Sequence, residues 1–362
     1  MAADPRRFPG FFFVHVVLIV VLLAVACAAV ALRAGTGRAA SAWTVQLPEN
    51  LREATATEGQ ATLGPLSAPP SRPLSLDGDL AATGYTVPGG ANVYAVRVVE
   101  GPEGRVYQQF EAGGGALASD FWPASSIKVL AALGALDFAR SLGFSGAATV
   151  TFDDGTPLGT LRSIYEAAIR DSSNYDYDLL VRIAGVDRLN DQFLTARNGF
   201  PVTALYRSYA GIELGESPGM VLEEGDRRVH VPERKATREP ECKTGNCSNL
   251  FEMTESVRRI VMNDEIPPDQ RFDLDRRDIR ALSAALQATD GFFPTAVAAA
   301  LGPGATIWSK PGDAADRDCL DVTMMESRAH QRFLLAASVP HSSGGCDALT
   351  QLARGVLELL AA

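Results

Sequence analysis

Phe121-Trp122-Pro123-Ala124-Ser125-Ser126-Ile127-Lys128 opens an apolar, Ala- and Leu-rich run that continues to Leu142. Pro123 suits a helix start, and the run after Lys128 has few polar residues, so a largely buried helix is predicted over residues 126–142. Ser125 and Lys128 are three residues apart, which puts a hydroxyl and an amine on one face about a turn apart. The chain has only four lysines and otherwise meets its need for positive charge with arginine. Arginine cannot give up its proton at working pH, whereas a desolvated lysine can. A neutral Lys128 can therefore take the Ser125 proton, while the helix N-terminus favours the negative charge that develops as the hydroxyl attacks a carbonyl. Serine three residues before lysine arises by chance about once in a chain of ordinary composition and this length, so the spacing needs company.

Two further segments supply it. Ser172-Ser173-Asn174 follows a helical pattern over 160–170 and is the only Ser-x-Asn in the chain. It offers a second hydroxyl to relay a proton and an amide to grip a substrate carbonyl or the base lysine; its plainer reading is a capping turn before the next helix. Trp308-Ser309-Lys310-Pro311-Gly312 ends a strand-like run. A cation fixed there can face developing anionic charge across a cleft; the plainer reading is a strand end before a Pro-Gly turn.

Around these segments the pattern is mixed. Residues 92–100 and 105–110 alternate across Gly101-Pro102-Glu103-Gly104 and predict a hairpin. Helical periodicity follows over 160–170, 177–183, 186–196, 250–262, 276–286 and 294–301. Strand-like runs return at 305–309, 320–325 and 333–339, before an amphipathic helix over 347–360. Two strands at the start and three at the end, with helices between them, imply an α+β fold. One lobe carries a five-stranded antiparallel sheet built from both chain ends, the other is an inserted all-helical lobe, and a cleft lies where they meet. Charges and prolines without periodicity over 211–241 read as a solvated surface insertion, with a substrate-gating flap as the alternative.

The first 90 residues read differently. Residues 1–10 carry Arg6 and Arg7 and are assigned to the cytoplasmic side. Residues 11–32 are apolar and at about 1.5 Å per residue span roughly 33 Å as a helix, enough for a hydrocarbon core of about 30 Å. An uncleaved transmembrane signal anchor, with the rest of the chain outside the cytoplasm, is the first reading. A cleavable leader ending near Ala39 and Ala40, or a lipid-bearing Cys27, are the alternatives. His15 lies near the start of the apolar run and reads as reaching the headgroups rather than as functional. Residues 33–90, with Ala68-Pro69-Pro70 and Pro88-Gly89-Gly90, read as a flexible linker, leaving 91–362 as the folded domain.

Apart from Cys27 there are four cysteines, and an even count in an exported domain points to disulfides; the short Cys242-Lys243-Thr244-Gly245-Asn246-Cys247 loop favours Cys242–Cys247 with Cys319–Cys346 among the three pairings. No cysteine or histidine cluster has zinc spacing, so no metal or other cofactor is expected. A net charge of −10 without a basic stripe sets nucleic acid aside as a partner. A Ser-His-Asp hydrolase is disfavoured because no Gly-x-Ser-x-Gly elbow is present and the four histidines are scattered.

Taken in order, Ser125-Ser126-Ile127-Lys128, Ser172-Ser173-Asn174 and Lys310-Pro311-Gly312 resemble the Ser-x-x-Lys, Ser-x-Asn and Lys-Thr-Gly motifs of the serine penicillin-recognising superfamily, and within it the class A β-lactamase-like serine hydrolases. The likeness extends over nearly all of 91–362. It implies that Ser125 attacks an amide or ester carbonyl, with Lys128 as general base and Ser172 relaying protons. Asn174 holds the substrate, Lys310 complements negative charge, Gly312 and Asp313 border the substrate, and the Ser125 and Asp313 backbone N–H groups form the oxyanion hole.

Two departures qualify the resemblance. Pro311 stands where the family has a small hydroxyl residue that helps bind a carboxylate, with the acidic Asp313 soon after. In Thr203-Ala204-Leu205-Tyr206-Arg207-Ser208-Tyr209 the residues Thr203, Leu205 and Arg207 match the family pattern, yet Tyr209 occupies the place of the glutamate that activates water for release of the acyl-enzyme. Glu213 could substitute only if its segment folds back. The expectation is a membrane-anchored extracytoplasmic serine hydrolase or acyltransferase acting on small-molecule or wall-peptide acyl substrates, with slow deacylation. The alternative is a catalytically idle protein of the same fold that binds wall fragments or a partner.

Overall fold

The computed structural model describes residues 60–61 and 73–362, apart from 102–103, 119–120 and 315–316. In chain order β1 (Gln60–Ala61), β2 (Leu74–Ser75) and α1 (Asp77–Ala82) precede the hairpin of β3 (Asn92–Gly101) and β4 (Gly104–Ala112). A 3₁₀ turn, Ala124–Ile127, leads into α2 (Lys128–Ser141). Next come β5 (Thr149–Phe152), β6 (Pro157–Thr160), α3 (Leu161–Arg170), α4 (Asn174–Ala184) and β7 (Ala204–Leu205). They are followed by β8 (Glu216–Ser217), β9 (Met220–Glu224), β10 (Arg227–Val231), β11 (Arg234–Lys235) and β12 (Asn246–Cys247). The last elements are α5 (Leu250–Val261), α6 (Arg276–Gln287), α7 (Pro294–Leu301), β13 (Thr306–Asp313), β14 (Asp318–Glu326), β15 (Arg332–Pro340) and α8 (Gly345–Ala361).

The main sheet runs β1-β4-β3-β15-β14-β13, and β2 pairs with β4. Its five long strands are antiparallel and come from both chain ends as expected; β1 and β2 extend it. Alternation along each strand feeds two cores. Val93, Ala95, Phe333 and Leu335 pack with Leu349, Leu352 and Val356 of α8. Tyr94, Val96, Leu334 and Ala336 face the opposite way, toward α2 and α5. Helix α2 is buried almost throughout, from Lys128 to Ala139, which makes it the axis of the inserted lobe. Gly134 allows its close packing, since a Cβ there would sit 2.2 Å from Leu189 Cδ1.

The α+β architecture holds, with three amendments. The inserted lobe is not all-helical: β5, β6, β9 and β10 form a second, four-stranded sheet, and half of the 211–241 segment lies within it or in the β8–β11 pair. The linker does not run to residue 90, because Leu76 and Leu80 are fully buried against the main sheet. Over 186–196 the helix is interrupted, a π turn occupying Leu189–Phe193. The assignments for 1–10, for the anchor over 11–32 and for most of 33–72 lie outside the described residues. Cys242 is bonded to Cys247, and Cys319 to Cys346 across a separation of 27 residues, which ties β14 to α8.

Candidate active site

Three structural pieces converge on one polar cluster: the turn before α2, the α3–α4 connection and β13. Ser125 lies in the Ala124–Ile127 3₁₀ turn, and Lys128, three residues on, opens α2. Lys128 is completely buried. Its Nζ donates to Asn174 Oδ1 at 2.6 Å, to Ser172 Oγ at 3.3 Å and to the Ser172 carbonyl. Lys310, also completely buried, donates to the same Ser172 Oγ at 2.9 Å. One hydroxyl thus joins two amines. Ser125 is half-buried and its Oγ makes no hydrogen bond among the described residues; the Lys128 amine is turned to Ser172 and Asn174 instead.

Burial, and then the like charge of Lys310, pull the Lys128 amine down to about 7. Burial brings Lys310 to about 8, against the opposing pull of Asp321. Both amines therefore change protonation near neutrality, as proton-transfer groups must.

The local backbone explains how these side chains get there. Ala124 and Ser172 both adopt left-handed conformations, with φ of 43° and 53°, costly for non-glycine residues and often found where a site demands it. Ser173 caps α4 by accepting from Asp176 N at 3.2 Å, so the capping reading is right for Ser173, while its neighbour Ser172 turns to the two lysines. Gly312 lets β13 lie against the serine turn: a Cβ there would come within 3.1 Å of Ala124 Cβ and of the Pro123 carbonyl oxygen. Asp313 ends β13 and lines a cleft of about 220 Å³ with Ser125, Trp122, Asn174, Arg207 and Tyr209. Its carboxylate is 2.8 Å from His341 Nε2. Two roomier surface pockets, of about 490 and 370 Å³, contain none of Ser125, Lys128, Ser172, Asn174 and Lys310.

Tyr209 faces this cleft. Its hydroxyl donates to the Ala124 carbonyl at 2.7 Å, bracing the residue before Ser125, and its ring stacks on Tyr177 with centroids 4.6 Å apart. Lys128 Nζ lies 5.7 Å from the ring centroid. Burial pushes the phenol up to about 12, so it stays protonated. Glu213 does not reach the cleft; it is exposed and accepts from Gly215 N at 2.8 Å.

Two supporting carboxylates escaped the sequence reading. Asp178, fully buried on α4, accepts from Ser208 Oγ at 2.6 Å, Tyr209 N at 2.9 Å and Ala210 N at 2.8 Å, and so pins the Tyr209 loop. Its spacing of four from Asn174, on one helix face, was the available signal. Asp321 on β14, also fully buried, accepts from Ser309 Oγ at 2.6 Å and Phe292 N at 2.6 Å beside Lys310.

This architecture is the β-lactamase and penicillin-binding-protein fold. A class A β-lactamase from Mycobacterium abscessus is similar at 17% identity with a TM-score of 0.54, covering 79% of this chain and 99% of that one. PBP-A is similar at 18% identity and a TM-score of 0.53, with 82% and 98% covered. A β-lactamase from Burkholderia vietnamiensis, at 15% identity and a TM-score of 0.51, covers 78% and 93%. No protein-family model matches the chain. No curated protein sequence matches it either.

Proposed function

We propose that the chain is a serine hydrolase or acyltransferase that works through an acyl-enzyme on Ser125. The observation that carries this reading is the pairing of two buried amines of lowered basicity on one hydroxyl, Ser172 Oγ, beside a cleft lined by Ser125. In the proposed sequence a neutral Lys128 takes the Ser125 proton, directly or through Ser172, as the oxygen attacks an amide or ester carbonyl. The N–H groups of Ser125 and Asp313 hold the oxyanion, and protonated Lys310 offsets the growing negative charge. Asn174 orients the substrate, and Ser172 then passes a proton to the leaving group. Similarity to a PBP-A variant, solved as an acyl-enzyme complex with penicillin G at 20% identity and a TM-score of 0.54, supports a covalent chemistry.

The leaving step is different. The Tyr209 phenol stays protonated and is committed to the Ala124 carbonyl, so it cannot serve as the base that activates water. The acyl-enzyme therefore persists or passes its acyl group to an acceptor other than water. The substrate class that follows is a small-molecule or peptide acyl donor such as a cell-wall peptide, met outside the cytoplasm by a domain tethered through residues 11–32. A catalytically idle binding protein is the second reading, favoured by the Lys128 amine's contacts with Ser172 and Asn174 rather than Ser125. Incubation of the intact chain with a fluorescent penicillin and with an activated acyl ester, read by intact mass, separates the two. An adduct that Ser125→Ala abolishes supports the enzyme; no adduct under conditions that label a control enzyme removes it.

A further inference from the structure

Several arginine side chains of the domain have carboxylate or backbone carbonyl partners; those of Arg207 and Arg317, beside the cleft, do not. Arg162 pairs with Asp278 at 3.0 Å, Arg258 with Glu255 at 2.9 Å, and Arg234 donates to the Ala184 carbonyl at 2.8 Å. The guanidinium groups of Arg207 and Arg317 have neither an ion pair nor a hydrogen bond among the described residues. Both stack on the same indole: Arg207 Cζ lies 4.7 Å and Arg317 Cζ 5.1 Å from the Trp122 ring. Nearby carboxylates do not neutralise them. Asp313 is bonded to His341, and Asp318 feels the charge of Arg317 without reaching ion-pair distance.

Stacking covers one face of each guanidinium and leaves its N–H edge free to donate. Two like charges held at one ring repel each other, and a shared anion relieves that repulsion while accepting charge-assisted hydrogen bonds from both. Trp122 and Arg207 line the cleft with Ser125, and Arg207 sits two residues before Tyr209. Arg317 approaches from the turn between β13 and β14, four residues after Asp313. Lys310 is not part of this group, since it is buried and bonded to Ser172.

We propose that Arg207 and Arg317, braced on Trp122, form an anion subsite at the rim of the cleft, which takes a carboxylate carried by the acyl donor away from its scissile carbonyl. The words "acyl donor" rest on the acyl-enzyme reading; the subsite itself does not. It makes the substrate class anionic despite the protein's net charge of −10.

The test compares N-adipoylglycinamide with N-hexanoylglycinamide, which differ by a terminal carboxylate, by calorimetric titration into the full chain carrying Ser125→Ala. Without a nucleophile the measurement is binding alone. The adipoyl probe is expected to bind about tenfold tighter, the scale of one charge-assisted contact at a solvated rim. That advantage is expected to shrink in Arg207→Gln, in Arg317→Gln, and on raising salt from about 0.1 M to about 1 M, where the Debye length falls from about 10 Å to about 3 Å. Lys235→Gln, at a remote exposed lysine, is expected to leave it unchanged. Equal affinities, no measurable adipoyl binding, or an advantage that survives both arginine changes would overturn the subsite. Thermal unfolding checks that each variant folds, and if Arg207→Gln does not, Arg317→Gln decides. A missing adduct on wild-type protein would sink the acyl-enzyme reading without altering this binding comparison.

Discussion

Two walls of one cleft differ in what they retain. One wall shows Ser125 and Asn174 to the cleft, and Asn174 leads to the buried Lys128, Ser172 and Lys310 behind it, the hydroxyls and amines that the proposed attack would use. The opposite wall, the loop pinned by Asp178, presents a stacked phenol at Tyr209 where the family resemblance calls for a carboxylate. In the proposed function, making an acyl bond and hydrolysing it would thus be separable, each resting on its own segment of chain.

Removing the amine should break the comparison most severely. Lys128→Met is expected to slow adduct formation by about 10²- to 10⁴-fold, the usual contribution of a positioned general base. Rates within about threefold of wild type would mean that the attack wall does not depend on Lys128. Asp178→Ala strips three donors of a buried acceptor and should cost on the order of 3 kcal/mol in denaturant unfolding, with the Tyr209 loop loosened. A loss under about 0.5 kcal/mol would show that the loop is held otherwise.

Tyr209→Glu transfers the comparison to one side chain. The adduct lifetime should shorten by about 10- to 100-fold if a carboxylate there activates water; an unchanged lifetime would place the control of release elsewhere.

A pH profile sharpens the attack wall. Acylation needs Lys128 neutral and Lys310 protonated, so the rate should rise through about 7 and fall above about 8, two limbs that belong to the coupled pair. Because both folded values lie below the ordinary 10.5, the unfolded chain binds more protons between about 7 and 10.5, and stability should rise with pH across that window. A flat rate profile, or stability falling over the same range, would contradict the lowered basicity. The smallest effect is expected for Tyr209→Phe, which removes the bond to the Ala124 carbonyl and should cost about 1 kcal/mol. A thermal shift no different from wild type would remove the bracing role of that hydroxyl.

The attack wall was legible in the sequence because its information is local: Ser125 and Lys128 are three residues apart, and Lys310 lies in a strand-like run, although β13 continues past it to Asp313 instead of ending there. What was not legible depends on distant partners or weak patterns. Asp178 and Asp321 gain meaning only from loops folded against them. Strands β9 and β10 were hidden because Glu223, Glu224, Arg227 and Arg228 interrupt alternation and pair across the hairpin instead. Leu80 sits in a helix of six residues and Leu76 just before it, too short a stretch for periodicity to show, so an ordered segment reads as linker. The left-handed turn at Ser172, which lets one serine cap a helix while its neighbour meets two lysines, follows from tertiary constraint rather than from residue type.

The most direct measurement is a rapid-mixing time course of leaving-group release from an activated acyl ester by the intact chain. A burst of about one equivalent per chain followed by a much slower steady phase is what the proposed Ser125 acyl-enzyme with slow release predicts. No release at all would contradict the competent attack wall, and fast linear turnover without a burst would contradict the altered release wall.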